Sequence, residues 1–344
     1  MAAHTTVRRI GTEEAFTIPE VAAKLREVAR SPTDSSDLPL VKAVYDAPED
    51  ASGSAVLRAL LDIDEGRIQD MDDNGVDVHL LSLTAPGVQM FDADTAVELA
   101  ALANDRLAAA ISRHPTRFAG LASFAPQAPK RAAAEMDRAI NELDLNGFVI
   151  NSHTNSEYLD DPKYWPILEA AEALNACLYI HPRGAAAGLD LPFRHYGLDT
   201  AQWGYGMEVG THAVRMIVAG VFDRFPNLKI CLGHMGEAVH FWLWRIDYMN
   251  AYAQRSGLAP KLELKPSEYF RRNFVITTSG QESDLALEFS IKALGAENVM
   301  WAIDYPYQPS APAVAWMEAA PISDADRELI YHENAERIFR INVP

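Results

Sequence analysis

The stretch Asn227-Leu-Lys-Ile-Cys-Leu-Gly-His-Met-Gly-Glu237 decides how this chain is read. Its apolar centre, residues 230–232, predicts a short buried strand. The strand runs into a glycine, a histidine, a second glycine and a carboxylate. Glycine lets the backbone turn sharply and come close to a ligand. In parallel α/β proteins the ligand side lies where the strands end. The pattern therefore delivers His234 to a rigid rim, with Glu237 near enough in sequence to orient it.

Working outward, the same alternation recurs along the chain. Apolar runs predict strands over residues 7–16, 76–83, 118–124, 147–150, 177–180, 273–278 and 299–303. Helical periodicity fills residues 55–74, 94–113, 129–143, 164–174, 208–222 and 324–339, and a helix rich in aromatics follows residue 240. Gly75 reads as the C-cap of the first of these. Residues 31–54 are rich in Ser, Pro, Asp and Gly and read as an inserted irregular segment. Strands alternating with helices imply a parallel sheet, and eight such units fit an α/β fold closed as a (β/α)8 TIM barrel. One domain over residues 1–344 is expected. An open doubly wound sheet is the competitor, but no Gly-x-Gly-x-x-Gly follows the first strand, so its dinucleotide-binding form has no support.

Composition narrows the function classes. The chain has 344 residues, 49% of them hydrophobic, and a formal net charge of −18. That charge argues against nucleic acid as a partner. Cys177 and Cys231 are the only cysteines, each within an apolar run, which predicts buried free thiols in a reducing compartment. No run of apolar residues is long enough to span a membrane, and residues 1–9 lack a signal-peptide core. A cytoplasmic protein is expected.

The chemistry sits at the strand ends. Glu13 follows the first strand, with Glu14 an equal candidate on composition; His153 follows the fourth, His181 the fifth, His234 the sixth and Asp304 the eighth. A barrel brings such ends to one face, whatever their separation in sequence. Carboxylates and imidazoles suit Zn²⁺, Mn²⁺ or Fe²⁺, and an open position would make a Lewis-acid site. Each residue also has a plain structural reading, as a rim hydrogen-bonder or a turn cap. Arg245 lies on the aromatic-rich helix Phe241-Trp-Leu-Trp-Arg-Ile-Asp-Tyr248, where a guanidinium could receive a carboxylate or simply pair with Asp247.

Taken together, Thr12-Glu-Glu-Ala-Phe16, Ile180-His-Pro182, Gly233-His-Met-Gly-Glu237, Trp244-Arg-Ile-Asp247 and Ile303-Asp-Tyr-Pro306 resemble the amidohydrolase-superfamily branch of non-oxidative aromatic acid decarboxylases. Asn151-Ser-His-Thr154, Tyr158-Leu-Asp160 and Asp304-Tyr-Pro-Tyr-Gln308 are most similar to its 5-carboxyvanillate members. The resemblance implies a distorted barrel and one divalent metal ion, Zn²⁺ or Mn²⁺, with no organic cofactor. It implies Glu13, His181 and Asp304 as metal ligands. His234 stands beside the metal, as a direct ligand or just behind one, with Glu237 as its relay. Asp304, His234 and Glu237 would form the catalytic group, and Arg245, His153 and Tyr307 would contact substrate. Ala15 replaces the second histidine of the superfamily's usual first-strand pair. The implied reaction is release of CO2 from an ortho-hydroxybenzoate, through metal chelation of carboxylate and phenolate and protonation of the ring carbon. The implied partners are a small aromatic carboxylic acid and further copies of the chain, as a homodimer or homotetramer. A metal-dependent hydrolase of a lactone, ester or amide is the alternative.

Overall fold

The computed structural model describes residues 7–342. The expected absence of a leader rests partly on residues 1–6, which lie outside the described residues. Eight strands form one sheet: β1 (Ile10–Phe16), β2 (Val78–Leu83), β3 (Phe118–Ser123), β4 (Gly147–Asn151), β5 (Leu178–His181), β6 (Ile230–Leu232), β7 (Phe274–Thr277) and β8 (Val299–Met300). Their order in the sheet is their order in the chain, and the seven successive pairs are all parallel. That is the (β/α)8 barrel expected from the sequence.

Strand alternation divides the apolar residues between two cores. Ile10, Val78, Leu80, Leu121, Tyr179 and Val275 point into the barrel, which Phe339 and Ile341 of the C-terminal segment help to fill. Their neighbours Leu81, Phe118, Phe148, Ile180, Leu232 and Ile276 point outward under the helices. Because β5 is inward-facing at Tyr179, the next inward position is His181, at the strand's end.

Barrel closure is irregular. β1 carries a bulge between Gly11 and Glu14. Across the gap to β8, the Thr12 N–H donates to the Trp301 carbonyl at 3.1 Å and the Ala15 N–H to the Tyr305 carbonyl at 2.7 Å. Bulges re-aim side chains at barrel rims, and here two consecutive glutamates sit on the bulged strand.

Several helices differ from expectation. Residues 31–54 are not an irregular loop throughout, because a helix spans Leu38–Tyr45 and another begins at Ser52. An unforeseen helix, Pro19–Arg30, precedes them, with Pro19 at a helix N-terminus, where a missing N–H costs nothing. The expected helix over 55–74 is two, Ser52–Leu61 and Glu65–Asn74. They break because the buried Arg67 guanidinium takes the carbonyls of Ala59 and Asp62. Gly75 ends the second in the left-handed conformation, as expected. Helices Pro266–Asn273, Asp284–Leu294 and Ser310–Ala319 were not foreseen, and the C-terminal helix is interrupted by a π segment, Leu329–Glu333. No helix among the described residues is long and apolar enough to cross a membrane.

Candidate active site

Glu13 lies at the centre of the strand-end cluster and is almost fully buried, at 3% exposure. Its Oε2 accepts hydrogen bonds from the Tyr179 hydroxyl and, at 3.0 Å, from Thr277 Oγ1. Its Oε1 has no hydrogen-bond partner at all. Two imidazoles face that bare oxygen: His181 Nε2 stands at 3.4 Å and His234 Nε2 at 3.5 Å. His181 donates its Nδ1–H to the Pro182 carbonyl at 2.8 Å, since a carbonyl can only accept. The neutral ring therefore turns an unprotonated Nε2 toward Glu13. Asp304 Oδ2 comes within 3.9 Å of His234 Nε2. Ligand atoms of Glu13, His234 and Asp304 all lie within 4.8 Å of one another.

The loop after β6 places His234 by unusual backbone. His234, Met235, Gly236, Glu237 and Ala238 all have positive φ, between 49° and 61°. A left-handed turn made mostly of non-glycine residues is strained. It folds Glu237 back so that its Oε1 accepts the His234 Nδ1–H at 2.8 Å. Glycine is required just before it. A Cβ on Gly233 would lie 2.5 Å from Glu13 Oε2.

Electrostatics make the cluster short of positive charge. Burial, the largest influence on Asp304, raises its carboxyl above the ordinary value; His234 pulls it back and Glu13 pushes it further up. Burial alone would lower the His234 imidazole, yet Glu13, Glu237 and Asp304 raise it well above its usual value. An orphaned buried carboxylate oxygen, a bare imidazole nitrogen and a second carboxylate are the donor set of a divalent ion. The residues present fit that group. A cavity of about 680 Å³ opens beside them, lined by His234, Asp304, Gly280, Gln308, Tyr205 and Phe241 among others.

A model of the family described as "Amidohydrolase" matches residues 50–341. The chain belongs to the amidohydrolase family. Within it, the chain is similar to decarboxylases. It is 56% identical to 5-carboxyvanillate decarboxylase from Sphingomonas paucimobilis, covering 98% of this chain and 100% of that one, with a TM-score of 0.95. It is 38% identical to 5-carboxyvanillate decarboxylase from Novosphingobium aromaticivorans, over 97% of this chain and 96% of that one, with a TM-score of 0.94. That structure is complexed with manganese and 4-hydroxy-3-methoxy-5-nitrobenzoic acid. The γ-resorcylate decarboxylase of a Polaromonas species is 37% identical, over 82% of this chain and 89% of its own length.

In this amidohydrolase the sequence-derived residues fall into two groups. Glu13, His181, His234 and Asp304 converge, with Glu237 behind His234. Tyr307 stands at the rim, its hydroxyl 2.6 Å from Thr84 Oγ1. His153 and Arg245 are placed elsewhere. His153 accepts the Ser156 N–H at Nδ1 and donates from Nε2 to the Gly184 carbonyl, so both ring nitrogens are used within the loops. Arg245 is exposed and lines an outer groove with Val214 and Trp242, which adjoins the cavity wall at Gly206, Met207 and Glu237. The Asp247 carboxylate holds Ser267 rather than Arg245. Sequence reasoning missed Tyr179 and Thr277, the residues that seat Glu13. The period of two along β5 would have flagged Tyr179, two positions before His181 on the same inward face.

Proposed function

We propose that this amidohydrolase is a non-oxidative decarboxylase that releases CO2 from an ortho-hydroxybenzoate, with 5-carboxyvanillate as the first candidate. The observation that carries this reading is the bare Glu13 Oε1 facing two imidazoles, in a chain so similar to 5-carboxyvanillate decarboxylases. Glu13, His181 and Asp304 would hold one divalent ion. Zn²⁺ satisfies the same donors, and Mn²⁺ is favoured because the Novosphingobium relative contains manganese. Bound there, the ion would supply Lewis acidity toward the substrate's carboxylate and ortho oxygen.

The chain's own residues do the rest. Tyr179 and Thr277 fix one oxygen of Glu13 and leave the other free. Asp304, on the cavity wall beside His234, is the proposed donor of a proton to the ring carbon bearing the carboxylate. That protonation interrupts aromaticity, and loss of CO2 restores it. Glu237 fixes the His234 ring so that Nε2 faces the cavity, where it can hold a phenolic or carboxylate oxygen. Tyr307 and Arg245 are the proposed substrate contacts. Arg245 requires a second copy of the chain, because in one chain it lies outside the cavity. The helix Leu243–Arg255 and the turn before it expose Phe241, Trp242, Trp244, Tyr248 and Tyr252, an aromatic face of the kind homo-oligomers bury. A homodimer or homotetramer formed through this face is part of the proposal. Both cysteines are buried free thiols, which supports a cytoplasmic location.

The test is CO2 release from Mn²⁺-loaded protein given 5-carboxyvanillate, γ-resorcylate, 2,3-dihydroxybenzoate or salicylate. CO2 from 5-carboxyvanillate, lost in Asp304→Asn, is the expected result. Metal-loaded protein that releases none from any of the four would sink the reading and direct attention to lactone hydrolysis.

A further inference from the structure

Glu13 and Glu14 are adjacent, both are buried, and they do different things. Glu13 turns into the barrel. Glu14, at 0% exposure, turns into the seam between β1 and β8. Its Oε1 accepts the Ile303 N–H at 3.0 Å and its Oε2 accepts the Tyr305 N–H at 2.9 Å. These are the amides on either side of Asp304. Asp304 itself is left-handed, with φ of 78°. Non-glycine residues hold that conformation only where their surroundings enforce it.

We propose that Glu14 is a positioning residue, whose carboxylate grips both amides flanking Asp304 and so sets the backbone that aims Asp304 at the metal centre. Three further features fit this role. Gly11 keeps a slot open for the carboxylate, since a Cβ there would lie 2.4 Å from Glu14 Oε1. Arg67, fully buried, donates to the Ala15 carbonyl at 2.7 Å and faces the Tyr305 ring at 4.8 Å, backing the same corner. The bulge between Gly11 and Glu14 breaks the regular alternation of β1 just where the two glutamates diverge. An isosteric amide cannot replace the carboxylate, because its NH2 group would confront one of the two N–H donors. The inference rests on the proposed function only in taking Asp304 as a metal ligand.

The experiment measures Mn²⁺ affinity of metal-stripped protein, from the EPR signal of free Mn²⁺, for wild type, Glu14→Gln and Gly11→Ala. Thermal unfolding of each metal-free form is followed in parallel. Gly11→Ala retains the carboxylate and displaces it, so it decides the matter if Glu14→Gln does not fold. The expected result is a dissociation constant raised at least about tenfold in every folded variant, as when the supports of metal ligands are lost, and a smaller rise in melting temperature on adding Mn²⁺. Variants that melt lower when metal-free yet bind Mn²⁺ like wild type would reduce Glu14 to a staple of the barrel and overturn the inference. Wild type that binds Mn²⁺ but releases no CO2 would sink the decarboxylase reading alone.

Discussion

Gly233 shows how little room the metal centre leaves. The atoms a Cβ would meet are Glu13 Oε2 at 2.5 Å and the Tyr179 hydroxyl at 3.0 Å, and these two are bonded to each other. Neither can retreat without breaking that bond. Gly233→Ala should therefore fold, keep its near-UV circular dichroism and lose Mn²⁺ affinity by about tenfold or more. Tyr179→Phe should act in the same direction by freeing Glu13 Oε2, and equilibrium dialysis against Mn²⁺ would show it. The candidate ligands were legible in the sequence because acids and imidazoles stand out at the ends of apolar strands. Tyr179 and Thr277 were not, because aromatic and β-branched residues are ordinary within strands. His153, singled out by its place after β4, has its ring nitrogens bonded to the Ser156 N–H and the Gly184 carbonyl, partners that the sequence does not reveal.

At the scale of elements, the loop after β4 and the helix Gly204–Val218 share a buried Ser152, Glu208 and His212 that imitate a nucleophilic triad. The hydrogen bonds exclude that use. The Leu159 N–H donates to His212 Nε2 at 3.1 Å, so the neutral ring carries its proton on Nδ1 and gives it to Ser152 Oγ. Ser152 in turn donates to Glu208 at 2.8 Å, and Glu208 also accepts from Tyr158 and the Ala186 N–H. A histidine that donates to the serine is no base for it. The network instead ties the loops after β4 and β5 to one helix. Ser152→Ala leaves both Glu208 and His212 short of a partner and should cost about 1–3 kcal/mol, read from urea unfolding. Strands were easier to foresee than helices here. Most strands are built around a short apolar run, whereas the break over residues 62–64 depends on Arg67 reaching carbonyls that no local pattern reveals.

For the molecule as a whole, buried histidines set the acid limit. Burial is the main reason that His153 and His240 are pushed down to about 4 and His212 to about 3, from an ordinary 6.5. Between those values and 6.5 the unfolded chain takes up protons that the folded chain refuses. The share of stability that these three histidines contribute is thus complete above about pH 6.5 and falls as the pH drops toward 4, each adding up to about 1.4 kcal/mol per pH unit. Glu14, raised by burial to about 8, acts in the opposite sense. Between about pH 6.5 and 4 the melting temperature of metal-free His240→Asn should therefore fall less steeply than that of metal-free wild type. The eightfold architecture was evident from the chain's repeating pattern, while the seam that closes it was not, since it is held by a side chain as well as by backbone.

That seam joins residues 289 and 291 positions apart in the sequence. Synthesis reaches Glu13 and Glu14 long before Ile303, Asp304 and Tyr305, so a nascent chain has no complete binding pocket until residue 305 has emerged. A product that stops short of Asp304 lacks the pocket entirely. Acquisition of the ion would in effect be an inspection step that such a product fails.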